Sequence, residues 1–138
     1  MSDIVYKINA PITKEDFLAV LKASTLSNRR PVEDPECLEG MVNNANLTIT
    51  AWHGSRLVGI ARAVTDFYYC CYLSDLAVDR HYQNRGLGRH LLKLTKQQLQ
   101  PKCNLILLSA PAATDYYPHI GFQKHSSAWV LYPGQQIL

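Results

Sequence analysis

The sequence predicts an α+β protein of three layers, with a mixed, mostly antiparallel sheet between helices. Three observations carry this reading. Residues 47–52 and 57–64 alternate apolar and polar side chains around the turn His53-Gly54-Ser55, as the two strands of a hairpin do. After Gly86 the period becomes helical, with Leu87, Leu91, Leu94 and Thr95 on one face and Leu92 and Leu99 beside it. That helical stretch lies between a long apolar run, residues 68–78, and a short one, residues 105–108, which together make a strand–helix–strand unit.

The remaining elements follow in chain order. Residues 4–9 alternate weakly and predict a first strand. Thr13 followed by Asp16 resembles a capping box, and Phe17, Leu18, Val20 and Leu21 then predict a helix over residues 14–24. Two prolines and the pair Arg29-Arg30 make residues 27–35 a loop. A helix over residues 35–43 would bury Leu38, Met41 and Val42. Pro101 closes the helix that starts at Gly86. Residues 112–117 fit a short helix broken at Pro118, Gly121-Phe122 opens a return strand, and residues 128–132 give a last one. The expected sheet has about six to seven strands, flanked by about four helices.

Composition limits the function classes. The 138 residues, 47% of them hydrophobic, suit one domain over 1–138 with a single core. A net charge of +3 suits an anionic ligand but is too weak, and too scattered, for a nucleic-acid groove. No apolar run nears the roughly 18–20 residues that cross a membrane. Met1-Ser2-Asp3-Ile4 lacks the basic start and apolar run of a signal peptide, so a cytoplasmic location is expected. Cys37, Cys70, Cys71 and Cys103 are then expected to be buried free thiols, and without a C-x-x-C pair no zinc site is expected.

The chemistry concentrates at Gln83-Asn84-Arg85-Gly86-Leu87-Gly88-Arg89, between the end of a strand at Val78 and the start of a helix. A helix N-terminus presents unpaired N–H groups and partial positive charge, which phosphate oxygens satisfy. Glycines at 86 and 88 let a ligand approach the backbone, and Arg85 and Arg89 add charge. A plain strand–helix turn fits the same residues. A dinucleotide fingerprint needs a glycine at Leu91, and a P-loop needs Gly-Lys-Ser/Thr where Gly88-Arg89-His90 stands, so neither fits.

Gln83, Gly86 and Gly88 resemble the [Gln/Arg]-x-x-Gly-x-[Gly/Ala] signature of the GCN5-related N-acetyltransferase (GNAT) superfamily. Leu76-Ala77-Val78 resembles its strand end. Residues 113–122, with Tyr116-Tyr117 and Gly121-Phe122, look like its Ala-x-x-Phe-Tyr-x-x-x-Gly-Phe block. The resemblance covers residues 45–125 well, and the first 45 only by element order. It implies acetyl transfer from acetyl-CoA to a primary amine, without a metal, in a fold whose central strand pair splays apart. Leu76, Ala77 and Val78 would pair with the pantetheine arm, and the backbone of Asn84 to Arg89 would hold the pyrophosphate. Ala110 departs from the pattern, standing where many members carry an Asn that contacts the cofactor.

Within that resemblance Tyr117 is the candidate general acid toward the leaving thiolate, or a residue that only packs against the cofactor. Tyr116 is expected in the core. Asp75 lies on the opposite strand face from Leu76 and Val78. It is either a general base or cation-binding acid, or an acid that fixes a neighbouring loop. Asp66 and Tyr72 are lesser candidates; His119 is expected to be exposed, and His81 and His125 carry no demanding pattern. Arg29-Arg30 either binds an acidic group on the acceptor or is simply solvated. The small size points to a small-molecule amine rather than a protein acceptor, and the last strand, residues 128–132, with its apolar tail Ile137-Leu138 offers a homodimer surface, as in many relatives. A non-catalytic acyl-CoA-binding module is the alternative function.

Overall fold

The structure, a computed structural model, describes residues 3–138; Met1 and Ser2, read above for a leader, lie outside the described residues. The chain divides into two compact units, one ending at Leu108 and one running from Ser109 to Leu138.

The first unit holds one five-stranded sheet in the order β1-β2-β3-β4-β5. β1 (Ile4–Ile8), β2 (Leu47–His53), β3 (Arg56–Thr65) and β4 (Cys70–Val78) pair antiparallel in succession. β5 (Asn104–Leu107) adds parallel to β4. The hairpin turns at Gly54, which takes a φ of 61°.

α1 (Lys14–Ala23) and α2 (Pro35–Asn44) cover one face of the sheet. The Thr13 hydroxyl accepts from the Asp16 N–H (3.0 Å), and an Asp16 carboxylate oxygen accepts from the Thr13 N–H (3.1 Å), so the expected capping box is formed with Asp in place of Glu. α2 starts under the Asp34 carboxylate, which accepts from the Cys37 N–H, with Pro35 in its first turn. Phe17, Val20, Leu21 and Leu38 meet Ile60 and Ala77 of the sheet in a fully buried cluster. Met41 and Val42 pack at its margin, half-buried rather than buried as expected.

α3 (Leu87–Gln97) crosses the other face, over β2, β3 and β4. It buries Leu87, Leu91, Leu92 and Thr95. The helix lies close to the sheet because Gly59 has no side chain: a Cβ there would sit 3.2 Å from Leu91 Cδ1.

The second unit holds a 3-10 turn at Pro111–Ala113 and α4 (Tyr116–His119). Pro118 does not break the helix as expected; it is its third residue, where a backbone N–H would have no intrahelical partner anyway. Tyr117 stacks edge-on against Tyr116 and Phe122, with ring centroids 5.3 and 5.4 Å apart.

The strand count needs correction. Five strands, not six to seven, form among the described residues. Residues 121–122 and 128–132 are not strands: Phe122 N–H donates to the Tyr117 carbonyl in a turn, and Trp129 to Tyr132 are exposed. Apolar and aromatic residues favour a strand only where a neighbouring strand supplies the ladder.

Candidate active site

Ser74 makes the local geometry of β4. Arg62 faces Asp75 and Ala63 faces Leu73, so Ser74 is an extra residue in the ladder. Such a bulge changes which face each side chain takes. Cys71 and Leu73 pair with the α3-facing residues Thr65 and Ala63, whereas Asp75 and Ala77 pair with Arg62 and Ile60 on the side of α1 and α2. Leu76 and Val78 face the α3 side opposite Ala61 and Gly59.

The parallel ladder with β5 ends at the same place. Its last pair is Leu73 with Leu107, so the edge of residues 74–78 on that side lies beyond the ladder. Leu76, Ala77 and Val78 thus lie past the end of β5, with no ladder partner on that edge.

Beyond Val78 the chain is pinned before it reaches the glycines. Asp79, fully buried, accepts from the His81 N–H (2.9 Å) and from Arg56 Nη2 (2.6 Å). The Tyr82 hydroxyl meets His53 Nδ1 at 2.5 Å, and the Arg85 guanidinium lies 5.5 Å from the Tyr82 ring centre. Gln83 Nε2 donates to the Val78 carbonyl (3.0 Å), closing the loop on its own strand. Asn84 and Gly86 both take left-handed backbone, at φ 63° and 83°.

Gly86 is the N-cap of α3 and supplies no side-chain cap, and no acid occupies the first turn. The first intrahelical bond runs from His90 N–H to the Gly86 carbonyl (3.0 Å). The N–H groups of Leu87, Gly88 and Arg89 therefore begin the helix without intrahelical acceptors. A Cβ on Gly86 would meet no protein atom within 4 Å, so open space lies in front of it. The left-handed φ favours glycine there, and the open space fits a phosphate reaching the backbone.

Asp75 is 1% exposed and has two cationic partners. One carboxylate oxygen accepts from Arg30 Nε and the other from Arg62 Nε. Arg30 Nη2 also donates to the Ser74 carbonyl (2.6 Å); Arg62 donates to Ser74 Oγ (2.9 Å) and to the Met41 carbonyl (3.1 Å). Of the two readings of Asp75, these contacts are those of an acid that fixes a neighbouring loop, here the one carrying Arg30. Arg30 is not the solvated partner of a solvated pair, whereas Arg29 is exposed. Arg62 escaped the sequence reading. Its signal was a lone arginine inside the apolar run Val58 to Val64, needing an acid on an adjoining strand.

The lesser candidates take structural places. Asp66 Oδ1 accepts from the N–H groups of Tyr68 (2.9 Å), Tyr69 (2.8 Å) and Cys70 (3.1 Å), and these bonds hold its carboxyl below the usual carboxylate range. Tyr72 is exposed on β4. His119 is exposed, as expected. Tyr116 is not in the core; it is 37% exposed, while its neighbour Tyr117 is half-buried in the second unit. All four cysteines are free, but only Cys71 and Cys103 are buried; Cys37 and Cys70 lie exposed, on the first turn of α2 and the first residue of β4. Burial pushes the Cys71 thiol up. No cluster able to hold a metal and no helix long and apolar enough to cross a membrane occurs among the described residues.

Comparison with known proteins bears on this geometry directly. The acetyltransferase (GNAT) domain model matches residues 18–130, across both units. A curated relative, GCN5-related N-acetyltransferase 2, chloroplastic, from Arabidopsis thaliana, is 36% identical over 70 residues, 49% of this chain. The match spans only 27% of that relative's length. Among solved structures, the GNAT family acetyltransferase SP0256 from Streptococcus pneumoniae superposes with a TM-score of 0.72 at 22% identity, covering 93% of this chain and 98% of that one. An aminoglycoside acetyltransferase, meta-AAC0020, from an uncultured soil sample and in complex with sisomicin, superposes at 0.68 with 15% identity and 98% of each chain covered. These two likenesses establish the shared fold.

Proposed function

The chain belongs to the GNAT acetyltransferase domain family, and from that premise we propose that it moves an acetyl group from acetyl-CoA to a primary amine by direct attack. The observation that carries the proposal is the end of the β4–β5 ladder, which leaves one edge of residues 74–78 without a strand partner, beside a helix N-terminus whose capping glycine faces open space. A cofactor with an amide-bearing arm and a pyrophosphate needs both features, close together and in that order along the chain. The edge of Leu76, Ala77 and Val78 supplies backbone groups to the arm. The loop from Gln83 to Arg89 holds the pyrophosphate with Leu87, Gly88 and Arg89 N–H groups and the charges of Arg85 and Arg89.

The chemistry then balances simply. The neutral amine nitrogen bonds to the thioester carbonyl carbon, a backbone N–H near Leu76 or Ala77 steadies the oxyanion, and the carbon–sulfur bond breaks. In this reading the Tyr117 phenol gives its proton to the thiolate and regains one from solvent, and the nitrogen loses its extra proton to water. Asp75, with both oxygens engaged by guanidinium groups, is a positioning residue that holds β4 and the Arg30 loop together. The acceptor in this reading is a small-molecule amine. Thiol release from acetyl-CoA over a panel of amines tests the proposal. Amine-dependent release is expected, reduced about a hundredfold in Tyr117→Phe, the usual scale of general acid–base catalysis. Amine-independent release alone would contradict the transfer, and full activity of the phenylalanine variant would remove Tyr117 from the acid role.

A further inference from the structure

We infer that the acceptor is an amine carrying a carboxylate and an apolar side group, of the α-amino-acid class, and not a polycation. The inference rests on the acetyl-transfer reading above and concerns the face of the sheet on which the acceptor would approach the end of the β4–β5 ladder.

Two observations on that face, both within the first unit, carry it. The first is charge. Arg30 and Arg62 share the single carboxylate of Asp75, which leaves one positive charge in excess where the β4–β5 ladder ends. The bonds to Asp75, to the backbone carbonyls and to Ser74 Oγ use three of the five N–H bonds of each guanidinium. Arg62 is nearly buried and Arg30 is partly open to solvent, so Arg30 can still meet an incoming anion. The Asp34 carboxylate on the same loop is engaged at the α2 cap, and the Asp75 carboxylate is buried, with both oxygens already bonded to guanidinium groups. A polyamine or aminoglycoside would bring further positive charge to a positive cluster, whereas a carboxylate would neutralise it and gain charge-assisted hydrogen bonds.

The second observation is a row of exposed apolar side chains beside that cluster. Val64 pairs with Tyr72, and Tyr72 with Ile106, across β3, β4 and β5. Val64 follows Arg62 by two residues on β3, so the row lies on the same face as Arg62 and Asp75. All three are open to solvent, at 50%, 42% and 50%. Three neighbouring apolar side chains on one sheet face form a floor for an apolar group, and the cation at one end sets its direction. The acceptor carboxylate meets Arg30 and its side group lies on Tyr72.

Steady-state acetyl transfer distinguishes the acceptor classes. The panel is L-phenylalanine, L-leucine, glycine, phenethylamine, isoamylamine and spermidine, with acetyl-CoA stabilisation of the protein measured alongside. We expect kcat/KM for phenylalanine and leucine to exceed that of their decarboxylated counterparts about tenfold or more. Arg30→Gln is expected to raise KM for phenylalanine about tenfold more than it raises KM for phenethylamine. A purely structural role would harm both acceptors alike. Tyr72→Ala is expected to raise KM for phenylalanine but not for glycine. Preference for spermidine or phenethylamine, or an equal loss for both acceptors in Arg30→Gln, would overturn the inference. So would acetyl-CoA stabilisation with no panel amine accepted, which leaves the cofactor reading standing; absence of stabilisation overturns both.

Discussion

At the scale of single residues, the molecule is organised by a few buried or bonded polar groups. Asp75 is the clearest. Removing its charge in Asp75→Asn leaves two guanidinium groups facing each other inside the sheet, and breaking a buried pair typically costs about 3–5 kcal/mol. Denaturant unfolding should show a loss of that order; a change below about 1 kcal/mol would mean that Arg30 and Arg62 find other partners. Asp66 makes a pH-dependent contact. Its carboxyl is held below its usual range by three backbone N–H donors, so its contribution is present above the unfolded-state value and is lost as pH falls through the folded value. Exchange protection of the Tyr68, Tyr69 and Cys70 amides should therefore drop at acid pH, and Asp66→Asn should remove that acid-dependent step. The thiols divide by exposure: a small alkylating agent at mildly alkaline pH should label Cys37 and Cys70 and spare Cys71, whose burial disfavours the thiolate. Labelling of Cys71 at the rate of Cys70 would contradict its burial.

At the scale of elements, most of the first unit was legible in the sequence because its signals are local. The capping box at Thr13, the hairpin at Gly54, and the helical leucines after Gly86 each depend on residues within a few positions of one another. The place of the glycine loop, between the end of β4 and the start of α3, was legible for the same reason. The partners of Asp75 were not, because they lie 13 and 45 residues away and are aligned by a bulge that no periodicity announces. Nor was the fate of residues 128–132, whose strand-like composition found no ladder. Gly59 belongs at this scale too, since it sets how closely α3 approaches β3. In Gly59→Val the new side chain meets Leu91, and overpacking of this kind costs about 1–3 kcal/mol. Thermal unfolding should register that loss, and a Gly59→Val protein as stable as the parent would show that α3 can move outward freely.

At the scale of the whole molecule, one geometric fact organises the functional reading: the β4–β5 ladder ends before Leu76, on the strand that leads into the positive start of α3. Loop, hairpin and strand are tied there by Asp79 with Arg56 and by Tyr82 with His53, so the backbone leading to Gly86 is held in place by the protein's own contacts. The family match runs from residue 18 to 130 and so takes in both the loop and the Tyr117 block. The central claim is that the unladdered edge of β4 and the start of α3 bind acetyl-CoA, and thermal unfolding with and without the cofactor tests it most directly. A ligand at a hundred times its Kd stabilises its protein by about 2.7 kcal/mol. We expect a clear rise in Tm with acetyl-CoA and with CoA for the parent chain, and none for Gly86→Asp, whose added carboxylate would occupy the open space before the helix while circular dichroism confirms the fold. No rise for the parent with either ligand, or an equal rise for Gly86→Asp, would contradict the account.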